Sequence, residues 1–241
     1  MLKPTYCVEE KETVREIGVD EAGRGPMLGR VYAAAVILPP DYESFNHALM
    51  KDSKKFHSEK KIREAAAYIK EKAIAWAIAY SDEKVIDEVN IRNATHQAMH
   101  KAIGEILQPT ASLPSMGQAV LSGSGGRPRL TSAEDVAQPP PLLLVDGNDF
   151  TPFVYNQTRY QHVCIEGGDN SYASIAAASI LAKVTRDDYI AELCKKEPSL
   201  IEHYDLLKNK GYGTKKHMDG IRAHGITPYH RKTYGLCRDF S

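Results

Sequence analysis

Four carboxylates stand where short apolar runs end. Asp20 and Glu21 close the run that begins at Ile17, Asp146 closes Leu142 to Val145, and Asp169 follows Gly167-Gly168 after a third run. Converging carboxylates repel one another strongly unless a cation sits among them. Hard oxygen donors select Mg²⁺ or Mn²⁺, held by a few carboxylates together with water and substrate phosphate. Two such ions roughly 4 Å apart activate a water and stabilise the departing oxygen of a phosphodiester. The pattern predicts metal-dependent phosphodiester hydrolysis, with Asp20, Glu21, Asp146 and Asp169 as catalytic residues and metal ligands. Each acid also has a local alternative. Asp169 can cap a helix that starts near Ser171, and the other acids can be turn residues. Three apolar strands all ending in acid favour the metal site. Asp187 and Asp188 compete with Asp169 for the fourth position. Asp187 lies roughly 27 Å further along a helix, which assigns it to a surface pair with Arg186 or a nearby lysine.

Gly23-Arg24-Gly25 follows the first acid pair at once. Glycines let a backbone approach a ligand closely, and arginine suits a polyanion. Lys54 is the foremost candidate phosphate contact outside the acids, with Ser53 beside it. Ser179, Lys183 and Arg186 share one face of a predicted helix, and Lys215 and Arg231 sit in a basic C-terminal stretch. For each of these a solvated surface is the alternative.

Positioning these groups requires a sheet. Arg15–Asp20 and Val31–Leu38 read as strands joined by a tight turn, hence an antiparallel pair. Ser58 is a plausible N-cap for a helix that buries Ile62, Ala65, Ala66 and Ile69. Ala73–Tyr80 reads as a strand, and Ser81 as the cap of a further helical stretch. Ile91, Ala94, Ala98, Ala102 and Ile106 mark the buried face of a longer helix. Residues 108–140, rich in Pro, Gly and Ser and without an aromatic, read as a flexible insertion. Leu142–Val145 is a continuous apolar run, as in a central buried strand. A helix from Ser171 and two C-terminal helical segments, 199–210 and 214–225, complete the chain. The predicted order is β-β-α-β-α-β-α-β-α followed by more helix. This is an α/β fold with a mixed sheet, flanking helices and a helical C-terminal lobe.

The 241 residues carry 31 basic and 31 acidic side chains, so charge alone does not make this a nucleic-acid-gripping protein. The basic residues concentrate after Lys208, which suits an anionic substrate held beside an acidic metal site. No apolar run approaches the roughly 20 residues of a membrane span, and the N-terminal stretch lacks the apolar core of a signal peptide. Four scattered cysteines, Cys7, Cys164, Cys194 and Cys237, predict reduced thiols rather than a zinc site or disulfide frame.

The motifs GVDEAGRGPMLG, DSKKF, LLVDG, GGDNSYASIAAASILAKVTRD and GYGTKKHMDGIRAHGITPYHRKTY resemble the type 2 ribonuclease H family, its bacterial ribonuclease HII branch in particular. The resemblance runs from Ile17 to Tyr234 and omits the insertion. It implies an RNase H-like fold, with 1–191 as the catalytic domain and 192–241 as a helical substrate-binding lobe. It implies a Mg²⁺- or Mn²⁺-dependent endonuclease that cleaves RNA in RNA–DNA hybrids. Such an enzyme also nicks duplex DNA 5′ of a single embedded ribonucleotide, leaving 3′-hydroxyl and 5′-phosphate ends. By motif, Asp20, Glu21, Asp146 and Asp169 are its catalytic carboxylates, and the backbone of Gly23, Arg24 and Gly25 touches the ribose 2′-hydroxyl. Tyr212 packs on the next sugar and reads the DNA–RNA junction; by itself it could equally be a hydrophobic anchor. Ser53, Lys54, Ser179 and Lys183 are further candidate substrate contacts. The chain departs from the family at Glu166, where a basic residue is common. The expected protein is a cytoplasmic monomer acting on nucleic acid without a membrane. Two other readings stand beside it: a related metal nuclease with no junction preference, and a non-catalytic nucleic-acid-binding subunit.

Overall fold

The computed structural model describes residues 2–6, 15–108, 125–127 and 139–240, with 125–127 described by backbone alone. The first apolar run forms β1 (Glu16–Ala22), and the alanine-rich run after the turn forms β2 (Val31–Ile37). They pair antiparallel, Asp20 opposite Ala34, as the short connection predicts. Ser58 accepts from the Lys61 N–H and caps α1 (Glu59–Lys72). β3 (Ala75–Ser81) pairs antiparallel with β2.

α2 (Glu83–Leu107) is capped by Asp82, not by the expected Ser81. Ser81 ends β3 and donates its hydroxyl to the Ala94 carbonyl at 2.8 Å. A side chain held on the sheet is not free to cap. The two successive helical stretches expected here meet at Asn90, whose φ of 68° breaks the helix between them. Beyond that break Ala94, Ala98, Ala102 and Ile106 are buried, at the predicted spacing, while Ile91 is only partly buried.

β5 (Leu142–Asp146) runs parallel to β1, and β8 (His162–Ile165) parallel to β5. Between β5 and β8 the expected helix is absent. β6 (Val154–Tyr155) and β7 (Thr158–Arg159) form a hairpin instead. Its two-residue turn, Asn156-Gln157, has φ 47° and 65°. Two central residues at positive φ give the turn whose twist matches a hairpin.

The main sheet has the order β4-β3-β2-β1-β5-β8, where β4 is Gly125–Arg127. Most of the 108–140 insertion lies outside the described residues. The three that form β4 pair with Trp76–Ile78 and cover the edge of β3.

α3 (Ala173–Lys196) and α1 pack on one face of the sheet, around Ala34, Val36, Ile69, Ala176 and Ile180. α2 covers the other face, around Ile17, Ala35, Met99, Ile103 and Leu143. The small residues of α3 let it come very close to β1. A Cβ on Gly18 would lie 2.2 Å from the Ser174 carbonyl carbon, so only glycine fits there.

The C-terminal segments form α4 (Ser199–Tyr204), α5 (Leu206–Asn209) and α6 (Lys215–His224). The stretch expected as one helix breaks at Asp205, φ 55°. A third cluster, including Met27, Leu28, Ile190, Leu193, Tyr204 and Ile221, ties these helices to the end of α3 and to the turn after Gly25. Cys164, Cys194 and Cys237 are free thiols, and Cys7 lies outside the described residues. Among the described residues no helix is long and apolar enough to cross a membrane.

Candidate active site

The parallel register of β1 and β5 sets Val19 opposite Val145. Asp20 and Asp146 follow directly, one on each strand, where the pairing of β1 with β5 ends, and stand close enough for their charges to repel. Asp169 stands in a 3₁₀ turn, Gly168–Asn170, at the mouth of α3. It does not cap that helix, whose N-cap is Tyr172 with no side-chain bond. Backbone amides orient two of the acids. The Glu21 N–H donates to Asp20 Oδ1 at 2.6 Å, and the Gly168 N–H to Asp146 Oδ1 at 2.7 Å. Asn170 Nδ2 donates to Asp169 Oδ1 at 2.9 Å.

Crowding and burial disfavour the charged forms of these acids. Burial, then the carboxylates of Glu21 and Asp146, raise Asp20 well above the ordinary carboxylate range. Burial, then Asp146 and Asp52, raise Asp169. Burial raises Glu21; Arg24 opposes this and Asp146 adds to it. Lys54 is a second cation beside them, after Arg24. Burial works against its charge, yet Asp169, Asp52, Asp20 and Asp146 together hold its ammonium above the ordinary value. Asp52 fixes the Lys54 backbone by accepting its N–H at 2.9 Å. The donor set is all oxygen and electrostatically overfilled with negative charge, which suits a hard divalent cation. Among the described residues no group of three or more His, Cys, Asp or Glu side chains is gathered tightly enough to hold an ion as it stands.

The acids open onto a cleft of about 420 Å³ lined by Asp20, Glu21, Gly23, Arg24, Gly25, Ser53, Lys54, Asp146, Ser179, Lys183 and Tyr212. Three of the residues singled out from the sequence lie off this lining: Asp169, which is buried within reach of the charges of Asp146 and Lys54, Lys215, which is exposed and paired with Asp219, and the buried Arg231. Ser53 and Ser179 join hydroxyls at 2.9 Å, and Ser179 also hydrogen-bonds Asp20. Lys183 is ion-paired with Asp187. Arg24 extends its half-exposed guanidinium to within 3.4 Å of Glu21 Oε1. Tyr212, 51% exposed, faces Gly25 so closely that a Cβ there would lie 3.3 Å from its ring.

Two arginines expected to meet phosphates do something else. Arg186 is buried and donates to the carbonyls of Lys210 at 2.9 Å and of Leu28 and Arg30 at 3.3 Å. Arg231 is completely buried, and its guanidinium donates to Gly23 O at 2.6 Å, Pro26 O at 2.7 Å, Gly29 O at 2.8 Å and Arg24 O at 3.0 Å. An irregular turn has carbonyls with no ladder to satisfy them, and a guanidinium has five donors to give. Nothing in the local sequence distinguishes such an arginine from a surface one.

Asp187 forms the lysine pair expected of it, but it also lines the cleft, as do Lys208, Asn209 and Lys210. The cleft runs along α3 towards the C-terminal lobe instead of stopping at the strand ends. The only sequence signal for these residues was the rise in basic charge after Lys208.

Comparison with known proteins places this arrangement. The family model for ribonuclease HII matches residues 17–115 and 137–237. A ribonuclease HII of Parabacteroides distasonis is 42% identical over 221 residues, covering 92% of this chain and 90% of that one. That of Phocaeicola vulgatus is also 42% identical, over 92% of this chain and 89% of its own. Among solved structures, the ribonuclease H2 of Pyrococcus horikoshii OT3 superposes with a TM-score of 0.58 at 21% identity, covering 94% of this chain and 96% of that one. The RNase HII of Archaeoglobus fulgidus, solved in complex with PCNA, gives 0.59 at 20%, covering 92% and 96%. These two structural likenesses establish the shared RNase H-like fold. The family match spans both the carboxylate-bearing strands and the C-terminal lobe, and the chain belongs to the ribonuclease HII family.

Proposed function

We propose that this chain hydrolyses RNA in RNA–DNA hybrids and nicks duplex DNA on the 5′ side of a single embedded ribonucleotide, leaving 3′-hydroxyl and 5′-phosphate ends. As a member of the ribonuclease HII family it is a metal-dependent endoribonuclease with a role in removing ribonucleotides from DNA. One observation carries the detailed reading. The neighbouring carboxylates Asp20, Glu21 and Asp146 and the Gly23-Arg24-Gly25 turn line a single cleft.

Asp20, Glu21, Asp146 and Asp169 would hold the Mg²⁺ or Mn²⁺ ions. When bound, such ions activate a water and stabilise the oxygen that leaves the phosphodiester. The chain's own groups supply placement. Gly23, Arg24 and Gly25 bring backbone to the ribose 2′-hydroxyl, the group that distinguishes RNA from DNA. The Tyr212 ring lies against the adjoining sugar and leaves no room for a second hydroxyl. Lys54 and Lys183 take flanking phosphates, while Ser53 and Ser179 brace Lys54 and Asp20. In this reading residues 1–191 hold the chemistry, and residues 192–241 bring Tyr212 to it. A reducing, cytoplasmic compartment fits the free thiols of Cys164, Cys194 and Cys237, and a monomer is the working assembly of this proposal.

The test is a DNA duplex with one ribonucleotide, incubated with Mg²⁺ or Mn²⁺. The expected product is a nick 5′ of that residue, lost in Asp20→Asn. No nick by the wild type with either ion, or an undiminished nick in Asp20→Asn, sinks the reading.

A further inference from the structure

The buried Arg231 guanidinium and the Tyr234 hydroxyl grip the Gly-Arg-Gly turn from behind. Arg231 takes the Gly23 carbonyl at 2.6 Å and the Arg24 carbonyl at 3.0 Å. The Tyr234 hydroxyl donates to the same Arg24 carbonyl at 2.9 Å, so both lone pairs of that oxygen are engaged. The two holders also support each other: the guanidinium lies 5.0 Å from the centre of the Tyr234 ring. In a trans-planar peptide the carbonyl of one residue and the N–H of the next point in opposite directions. Drawing the Gly23 and Arg24 carbonyls towards Arg231 therefore turns the Arg24 and Gly25 N–H groups the other way. Both residues line the cleft. Two amides further along the turn have other uses, since Met27 N–H donates to Gly211 O and Gly29 N–H to Tyr229 O, each at 2.8 Å.

We propose that Arg231 and Tyr234 are positioning residues for sugar specificity, which hold the turn so that the Arg24 and Gly25 amides donate to the ribose 2′-oxygen. This rests on the 2′-hydroxyl reading given above and adds to it the groups that aim the donors. Without them the turn could rotate a peptide and present a carbonyl, which would still accept from a hydroxyl but would no longer distinguish it by donation.

Binding is the cleanest readout, because it separates sugar recognition from catalysis. Affinity would be measured with Ca²⁺ as the only divalent ion, for a duplex with one ribonucleotide and for the same duplex made wholly of DNA. Wild type, Arg231→Lys and Tyr234→Phe would be compared, each with its melting temperature. Arg231→Lys keeps the charge and loses the fork; Tyr234→Phe removes one donor and keeps the packing, so it decides the matter if the buried lysine prevents folding. The expected result is a preference for the ribonucleotide duplex that falls about tenfold, the loss of roughly one good hydrogen bond, while affinity for all-DNA stays within about twofold of wild type. A wild-type preference that Tyr234→Phe and any folded Arg231→Lys retain overturns this inference alone. So does a parallel loss of both affinities, which marks a purely structural role. A wild type with no preference overturns the 2′-hydroxyl reading itself, and this inference with it.

Discussion

His230 Nε2 lies 3.1 Å from His217 Nε2, and the surrounding bonds fix which nitrogen gives the proton. The Thr227 N–H donates to His230 Nδ1 at 2.9 Å, so His230 carries its proton on Nε2 and donates it to His217. His217 then donates from Nδ1 to the Tyr212 carbonyl at 3.0 Å. This buried chain of two neutral imidazoles fixes the backbone of the exposed cleft tyrosine.

The chain makes the C-terminal lobe sensitive to acid. Burial, then the neighbouring His217, pushes His230 down to about 3, and burial pushes His217 down as well. The unfolded chain takes up these protons near pH 6.5, and the folded chain only further down. Stability is therefore full above about pH 6.5 and falls below it, by up to roughly 1.4 kcal/mol per pH unit for each group. Melting temperature should drop more steeply from pH 7 to pH 5 in the wild type than in His230→Phe, even though that variant starts lower. Equal slopes would remove the pair from the account of acid stability.

Neutralising a single carboxylate should remove activity without unfolding the chain. Asp20 and Asp169 are raised by burial and by their acidic neighbours, so losing one charge relieves repulsion. Asp20→Asn and Asp169→Asn should cut cleavage by on the order of 100-fold or more, since even outer partners of a metal site cost 10–100-fold. Their melting temperatures without divalent ions should equal or exceed that of the wild type. A marked drop in melting temperature would mean that the acids hold the fold.

The two glycines of the turn should fail in different ways. Gly23 has φ 95°, and a Cβ there would lie 2.2 Å from Arg186 Nε, so Gly23→Ala strains the backbone and displaces a buried guanidinium. A stability loss of roughly 1–3 kcal/mol is expected. At Gly25 a Cβ meets only the Tyr212 ring, at 3.3 Å. Gly25→Ala should keep its melting temperature within a few degrees and lose affinity for the ribonucleotide duplex. Thermal denaturation and duplex binding on the two variants check this, and a reversal of the two effects would refute it.

Tyr212 is 51% exposed, and its backbone rather than its ring is anchored. Tyr212→Ala should fold normally. Steady-state kinetics should show a raised KM and weaker cleavage of the single-ribonucleotide duplex relative to a long RNA–DNA hybrid. If both substrates are cleaved as by the wild type, the ring does not read the junction.

The sequence alone marked Asp20, Glu21, Asp146 and the Gly23-Arg24-Gly25 turn, which the structure brings to one cleft. Acid at the ends of apolar strands is visible as local pattern, and so is a glycine turn directly after Asp20-Glu21. The alternation of strands and helices followed from periodicity and caps such as Ser58. Local pattern failed where a tertiary partner outbid it. Ser81 looked like a cap but bonds to Ala94, and the chain before β8 turns back as a hairpin at Asn156-Gln157 instead of coiling.

Only the tertiary structure decided what stands next to what. The parallel pairing of β1 with β5 makes neighbours of Asp20 and Asp146, and no sequence interval encodes that pairing. Arg186 and Arg231 look like phosphate ligands by composition, yet both are buried and spend their donors on carbonyls of the turn region and the lobe. The reason is physical. Charge and propensity belong to a residue and can be read from its name, whereas whether a guanidinium meets phosphate or backbone depends on the surface that folding closes over it.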